Sequence, residues 1–441
     1  MRGGLRRGLV AGALACVVIA ACTSESADDS AGDDADGAQA ASEVADAVGV
    51  TDDTIKISLI SSDLSALSEQ NLAPEIGDAQ ATLEAIVADI NANGGVAGRQ
   101  IELIPHVIPG ADAVLNPDLG RQTCVQATED DQPFAVIISA AISAETVECT
   151  AVDHDVVTIT MDSWPESFYE GSDGRLFSVA TLTSVSRSRE YRAWPKILDE
   201  QGVLDGKAIG IVRTDTAEQQ ETVEDALKPS LEELGYDVVA ESVLPCPEGS
   251  QTCEQHDVAI QRLRDANVDF VFLVPQTLPG AATVEAAANL GFDPEWTTIG
   301  NNVTATVAKF FTNAKANYDG AWGINTVFTD GTDETAECNR LAVAGGAEEF
   351  PPASDGYGFT AVTCLQLQTL VAAIEAVEGA ITQAAVIEAI ENLPEVPMAS
   401  GPPGSLASDK HDAGDYVFLS RYSAASETFE PIDGQTPIEV E

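Results

Sequence analysis

Beyond residue 50 the chain alternates two patterns of apolar and polar positions. Residues 55–60 form a short apolar run, the signature of a strand buried on both faces. In the stretch that follows, Ala79, Leu83, Ile86, Val87 and Ile90 fall on one face of a 3.6-residue period, which predicts an amphipathic helix. Asn93, Gly94 and Gly95 then supply the residues that tolerate positive φ at a helix end. The same alternation continues. Further β-like runs lie at 101–104, 134–139, 156–160, 208–212, 237–241, 269–274 and 297–300. Helical stretches at 119–128, 143–151, 186–200, 217–234, 254–266 and 281–290 separate most of them. Strands alternating with helices imply parallel sheets covered on both faces, and two such series, about 55–160 and 208–300, imply two similar lobes. Past Gly300 the rhythm loosens into a strand at 321–328, helices at 355–378 and 382–392, and a last strand at 416–422.

The N-terminal pattern differs. Arg2, Arg6 and Arg7 precede an apolar core from Leu9 to Ala20, too short for a membrane span and of the right length for a secretory signal. Ile19, Ala20 and Ala21 before Cys22 resemble a bacterial lipobox, which implies a signal peptide over 1–21 and lipidation of Cys22. From Thr23 to about Val50 the chain is rich in Ala, Ser, Gly and Asp, a composition that cannot offset its ordering entropy; residues 22–51 are therefore expected to be a lipidated, flexible acidic tether. The reading is an exported protein held on the outer face of the cell membrane by its acyl chains alone.

A formal charge of −51 argues against nucleic acid, whose binders need a basic face, and against adhesion of the body to anionic lipid. Of eight cysteines, six remain after Cys16 and Cys22. In an exported chain an even six suggests disulfides. Fifteen pairings are possible; sequence neighbours favour Cys124 with Cys149, Cys246 with Cys253, and Cys338 with Cys364. His256 close behind Cys253 raises a zinc site, but the spacing matches no common zinc pattern. No nucleophile elbow, P-loop, H-E-x-x-H or strand-following G-x-G-x-x-G is present, and His106, His154, His256 and His411 have no visible catalytic partner. Carboxylates are too abundant for a chance pair to signal catalysis. No enzyme, cofactor or metal is expected.

The segment ADINANGGVAGRQIEL (88–103) resembles the first helix-to-strand junction of the type I solute-binding proteins of ABC transporters, the group that includes the Leu/Ile/Val-binding proteins. The likeness runs through FAVIISAAIS, VVTITMDSWP, GKAIGIVRTD, LEELGYDVV, RLRDANVDFVFLV and AAANLGF to SGPPGSLASDKHDAGDYVFLSRY, covering nearly all of 53–441 in the family's order. It implies an α/β fold of two doubly wound parallel-sheet lobes joined by three crossings, with ligand in the central cleft. Lobe 1 would hold 52–175 and 300–410, and lobe 2 would hold 176–299 and 411–441. A monomeric trap handing a small polar ligand to ABC permease subunits is the function implied. A sensing receptor of the same fold is the alternative, and an exported hydrolase a more distant one.

Carried over by position, the cleft would be lined by Ser139, Ala140, Ala141 and Ser143 after the third strand and by Asp162, Ser163 and Trp164 after the fourth. Asp215, Gln276 and Thr277 would come from the second lobe, with Asn301 and Asn302 after TTIG. Ser143 is open to two readings, ligand donor or helix N-cap; Trp164 is open to lid or lobe packing. Amino-acid-binding members carry an acid after the TTIG strand to meet the ligand ammonium. The amides of Asn301 and Asn302 offer only dipoles there, which favours a polar ligand without an α-ammonium unless Asp162 or Asp215 replaces the acid.

Overall fold

The computed structural model describes residues 47–440 except 70–72, 74, 111, 113–115, 141, 181–184, 247–252, 301–305, 309, 326–330 and 433–435. The signal peptide, Cys22, most of the tether, Ala141, Asn301 and Asn302 lie outside the described residues.

The first sheet contains β1 (Thr54–Asp63), β2 (Gln100–Pro109), β3 (Ala135–Ser139), β4 (Val157–Thr160) and β5 (Leu176–Ser178) in the order β2-β1-β3-β4-β5. All neighbours pair in parallel. Because helices cover both faces, β3 and β4 are buried at every position, and their sequences are continuous and not alternating. Ile57, Ile137 and Ile159 point into a core completed by Leu83, Ile86, Leu365 and Leu370. Val136 and Ile138 point the other way, toward Ala127, Val147 and Trp164. The helix Ala79–Ala92 starts where the Asp78 carboxylate accepts from the Ala81 N–H at 3.1 Å. It ends at Gly94 and Gly95, both at positive φ, and a Cβ on Gly95 would stand 1.9 Å from the Arg99 carbonyl oxygen, so this turn into β2 requires glycine. The 22-residue helix Asp355–Ala376 is apolar enough to cross a membrane, yet most of it is buried as the core helix of this sheet.

The second sheet repeats the plan. β6 (Ile209–Thr214), β7 (Val238–Leu244), β8 (Phe270–Leu273), β9 (Glu295–Ile299) and β10 (Trp322–Asn325) run parallel in the order β7-β6-β8-β9-β10, the same winding as the first five strands. β11 (Tyr416–Ser423) adds antiparallel to β10, β12 (Thr428–Pro431) adds to β11, and β13 (Ile438–Glu439) also pairs β11. Arg187–Glu200 covers one face, where Trp194 packs on Phe272 and donates from Nε1 to Thr297 Oγ1 at 2.8 Å. His256–Asp265 and Thr277–Leu290 cover the other through Ile260, Leu263 and Val284.

The chain passes between the sheets three times: after β5, after β10 and before β11. These passages shift the expected lobe limits. β5 hydrogen-bonds to β4, so the break expected at 175 falls after Ser178. β10 lies between β9 and β11, so Trp322–Asn325 go with the second sheet, not the first. Ala413 N–H donates to the Ser178 carbonyl at 2.8 Å, which holds 411–413 at the first sheet's edge. Short strands carry little pattern of their own, and only their pairing decides where they belong.

Disulfides join Cys124–Cys149, Cys246–Cys253 and Cys338–Cys364, the three neighbour pairings, with Cα separations of 6.2, 4.1 and 5.8 Å. Cys253 therefore has no thiolate to offer a metal. His256 instead faces Thr283 Oγ1 at 3.0 Å and the Cys253 carbonyl at 3.1 Å.

Candidate site at the strand ends between the sheets

Open α/β sheets bind ligands outside the carboxyl ends of their strands, where helix N-termini and loop backbone converge. In this chain those ends are the segments after β3, β4, β6, β8 and β9. Ser139 closes β3 but turns inward, its Oγ 2.6 Å from Thr363 Oγ1 on the core helix, and Ala140 beside it is buried. Ser143 occupies the N-cap position of Ala144–Glu148, yet its Oγ caps no backbone amide and instead lies 3.2 Å from Thr146 Oγ1.

After β4 the chain presents Asp162, Ser163 and Trp164. Ser163 and Trp164 are buried, and Trp164 stacks on Phe168 with ring centres 5.1 Å apart. Its backbone N–H donates to the Tyr169 hydroxyl at 3.2 Å, while its indole Nε1–H has no acceptor among the described residues. Burial pushes the Asp162 carboxyl up to about 6, against the opposing pull of Arg187 and the Ile142 backbone N–H.

From the second sheet, Asp215 is exposed, and its Oδ1 accepts from the Cys246 N–H at 2.9 Å. That bond commits it to the loop of the Cys246–Cys253 bridge. Gln276 ends the segment after β8 with its amide beside Gly300 at the end of β9. Thr277 next to it sits at φ 52, a left-handed conformation that a β-branched residue rarely adopts. Such strain collects at binding sites.

The strand ends meet around Arg187, a residue outside the sequence-based set. Its guanidinium pairs with Glu218 and lies 5.6 Å from the centre of the Trp164 ring, and its field reaches Asp162 and Glu190. Glu190 is only 4% exposed, and burial pushes its carboxyl up to about 8, with Arg187 opposing. The sequence held a signal for it: Glu190 occupies a position on the apolar stripe that Tyr191, Trp194, Ile197 and Leu198 define. Nearby, the helix Glu166–Gly171 of the first sheet contacts the second-sheet helices directly. Glu166 pairs with Arg192, its N–H donates to Ser188 Oγ at 3.0 Å, and Ser167 Oγ donates to Glu221 Oε2 at 2.8 Å.

Two open grooves of about 550 and 490 Å³ lie elsewhere, lined by Asp173, Arg175 and Glu391 and by Val48, Thr128 and His154. They sit where the chain enters β5, β1, β3 and β4, at the amino ends of these strands and away from the carboxyl ends.

Two sheets of repeated winding, three passages and a polar cluster at the facing strand ends define a bilobal binding protein of the type I periplasmic class. Residues 54–426 match the periplasmic binding protein family, and the chain belongs to it. No curated protein matches. Among solved structures, a Desulfitobacterium hafniense ABC transporter substrate-binding protein in complex with Leu aligns at TM-score 0.59 and 16% identity, over 86% of this chain and 100% of its own. A solute-binding protein of an R. palustris ABC transporter in complex with 4-hydroxybenzoate aligns at 0.62 and 17%, over 88% and 97%. A fatty acid ABC transporter substrate-binding protein from Thermomonospora curvata aligns at 0.61 and 16%, over 90% and 95%. These matches are binding proteins, and at such identities they speak for the fold.

Proposed function

We propose that this protein is an exported, lipid-anchored solute-binding protein that captures a small polar ligand between two lobes and passes it to an ABC permease. One lobe is built on 54–180 with 333–413, the other on 185–325 with 414–440. The observation that carries the reading is the cluster of Asp162, Trp164, Arg187, Glu190 and Glu218, which draws side chains from both sides of the junction to the carboxyl ends of β4 and β6. Ser143, Ser163, Gln276 and Thr277 form the remaining wall in this proposal, Ser139 and Ala140 lie buried behind it, and Asp215 stands outside it. The Leu, 4-hydroxybenzoate and fatty-acid names of the structural neighbours support a small carboxylate-bearing or amino-acid-like ligand. The apolar core ending at Cys22 supports the anchor, and the acidic tether supports a reach from the membrane.

Thermal unfolding of residues 23–441 against amino acids, aromatic and short carboxylic acids, amides and sugars tests capture. Ligand at about a hundred times its dissociation constant should stabilise the protein by roughly 2.7 kcal/mol. Silence across that panel would remove the reading. Radiolabelled palmitate should enter the full chain and not Cys22→Ala, and the variant should leave the membrane fraction.

A further inference from the structure

The bridge Cys124–Cys149 joins two helices that continue in the same unusual way. Pro117–Val125 runs on into a turn of π-helix over 126–130, and Ala144–Glu148 into another over 149–153, a feature that gathers at functional sites. In the second turn the His154 N–H donates to the Cys149 carbonyl at 3.1 Å, and this i to i+5 bond brings two side chains five residues apart to one side. A ring nitrogen of His154 and the sulfurs of Cys124 and Cys149 lie within 4.8 Å of one another. Among the described residues this is the one place where three cysteine, histidine or carboxylate donors converge so closely. The first turn adds Glu129, whose Oε1 stands 3.7 Å from His154 Nε2. Both cysteines are buried, whereas Glu129 and His154 line the open groove of about 490 Å³, so the cluster has a dry side and an entry path.

We propose that reduction of the Cys124–Cys149 bridge turns this cluster into a zinc site, with Cys124, Cys149 and His154 as ligands and Glu129 closing the tetrahedron from the groove. The site lies at the amino ends of the strands, away from the cleft, and stands apart from ligand capture. While the bridge is intact its sulfurs carry no thiolate, and the site is off. A dithiol reductant switches it on: two electrons break the S–S bond, each sulfur takes a proton, and the reductant leaves as its own disulfide. Zinc then displaces both thiol protons to solvent, so one Zn²⁺ is taken up for two protons released. Zinc bonds of about 2.3 Å to sulfur and 2.0–2.2 Å to nitrogen or oxygen set tetrahedral donors about 3.3–3.8 Å apart. Glu129 and His154 already stand at that spacing, and the freed sulfurs need only relax to it. Thiolate and imidazole together select zinc over magnesium or calcium. The formal charge of −51 adds a long-range attraction for the cation. A purely structural bridge accounts for the two cysteines, but not for an imidazole and a carboxylate set beside them at an open groove. Cys124 and Cys149 are 25 residues apart in sequence, too far for the close cysteine pairs of common zinc motifs, so only the fold reveals the cluster.

The test uses the full-length protein in detergent, reduced without oxygen by a water-soluble phosphine and titrated near neutral pH with zinc chloride, or with cobalt chloride for spectra. The reduced protein should bind one zinc per chain against a colorimetric chelator and release two protons in buffers of differing ionisation enthalpy. Its cobalt form should show a thiolate-to-metal charge-transfer band. The oxidised protein, and reduced Cys124→Ser with Cys149→Ser, should show only the weak binding of scattered surface carboxylates and no band. Glu129→Gln should weaken zinc about 10–100-fold and His154→Ala by more, with the oxidised fold of both unchanged by circular dichroism. The reductant also opens Cys246–Cys253 and Cys338–Cys364, so a band that survives in the double serine variant belongs to those thiols and overturns the site. Equal zinc affinity in the oxidised protein, or full affinity in reduced His154→Ala, overturns it as well. A reduced chain that binds no zinc, or that unfolds even when zinc is present during reduction, does the same.

Discussion

Asp412 offers the sharpest test of how the two lobes are joined. It is 3% exposed, takes the Ser186 N–H at 2.7 Å, and pairs with Arg189, whose guanidinium also reaches the carbonyls of Gly414 at 3.0 Å and Val440 at 2.6 Å. Ser186 follows the first passage between the sheets and Asp412 precedes the third, so one carboxylate ties two of the three passages together. Burial pushes its carboxyl above the usual range despite Arg189 and Lys410, so desolvation outweighs the attraction and the pair gives little net stability over an apolar pair. Removing one member is a different matter, since it strands the other charge. Asp412→Ala should therefore cost about 3–5 kcal/mol. Arg189→Met with Asp412→Leu should recover a large part of that loss, short of the Gly414 and Val440 bonds worth about 1 kcal/mol each. Urea unfolding followed by tryptophan fluorescence, with the slope m checked for constancy, reads both. A loss under about 1 kcal/mol for Asp412→Ala, or a double variant no better than that single one, would refute the argument.

Two further outcomes follow from the same physics. Glu190 has its carboxyl raised from 4.5 to about 8, so between those values the folded protein holds a proton that the unfolded chain releases, and wild-type stability falls as pH rises through the window. Glu190→Gln removes this slope and should exceed wild type by on the order of 5 kcal/mol at pH 8.5, roughly 5–10 °C in Tm, and match it near pH 4.5; a constant offset at both pH values would contradict the titration. Cys124→Ser with Cys149→Ser opens a bridge spanning 25 residues and should cost about 3 kcal/mol in denaturant unfolding, with a loss below about 1 kcal/mol pointing to a denatured state already structured there.

Local physics and tertiary structure divide this protein along a clear line. Apolar runs bounded by helices are enough to predict parallel sheets, because a strand buried on both faces must be continuously apolar, and β1 to β4 and β6 to β9 all stand where such runs predict them. The Gly94–Gly95 turn is legible for the same local reason: only glycine fits beside the Arg99 carbonyl. Neighbouring cysteines were enough to favour the three bridges. Other features carry no local signal. β5, β12 and β13 are too short, and Asp333–Ala344 is polar enough to hide its period until it packs on Ala79–Ala92 and is joined to the core helix by Cys338–Cys364. The site divides likewise. Position in the order of strands pointed to Asp162 and Trp164 and equally to Asp215, whose carboxylate accepts from the Cys246 N–H of the disulfide loop. Arg187 and Glu218 read as ordinary charged helix residues in sequence, and Glu190 stands out only by falling on an apolar stripe. Only the meeting of three elements pairs Arg187 with Glu218, sets it over Trp164 and shields the Asp162 and Glu190 carboxyls so that both are raised, because burial and proximity are properties of the assembled fold.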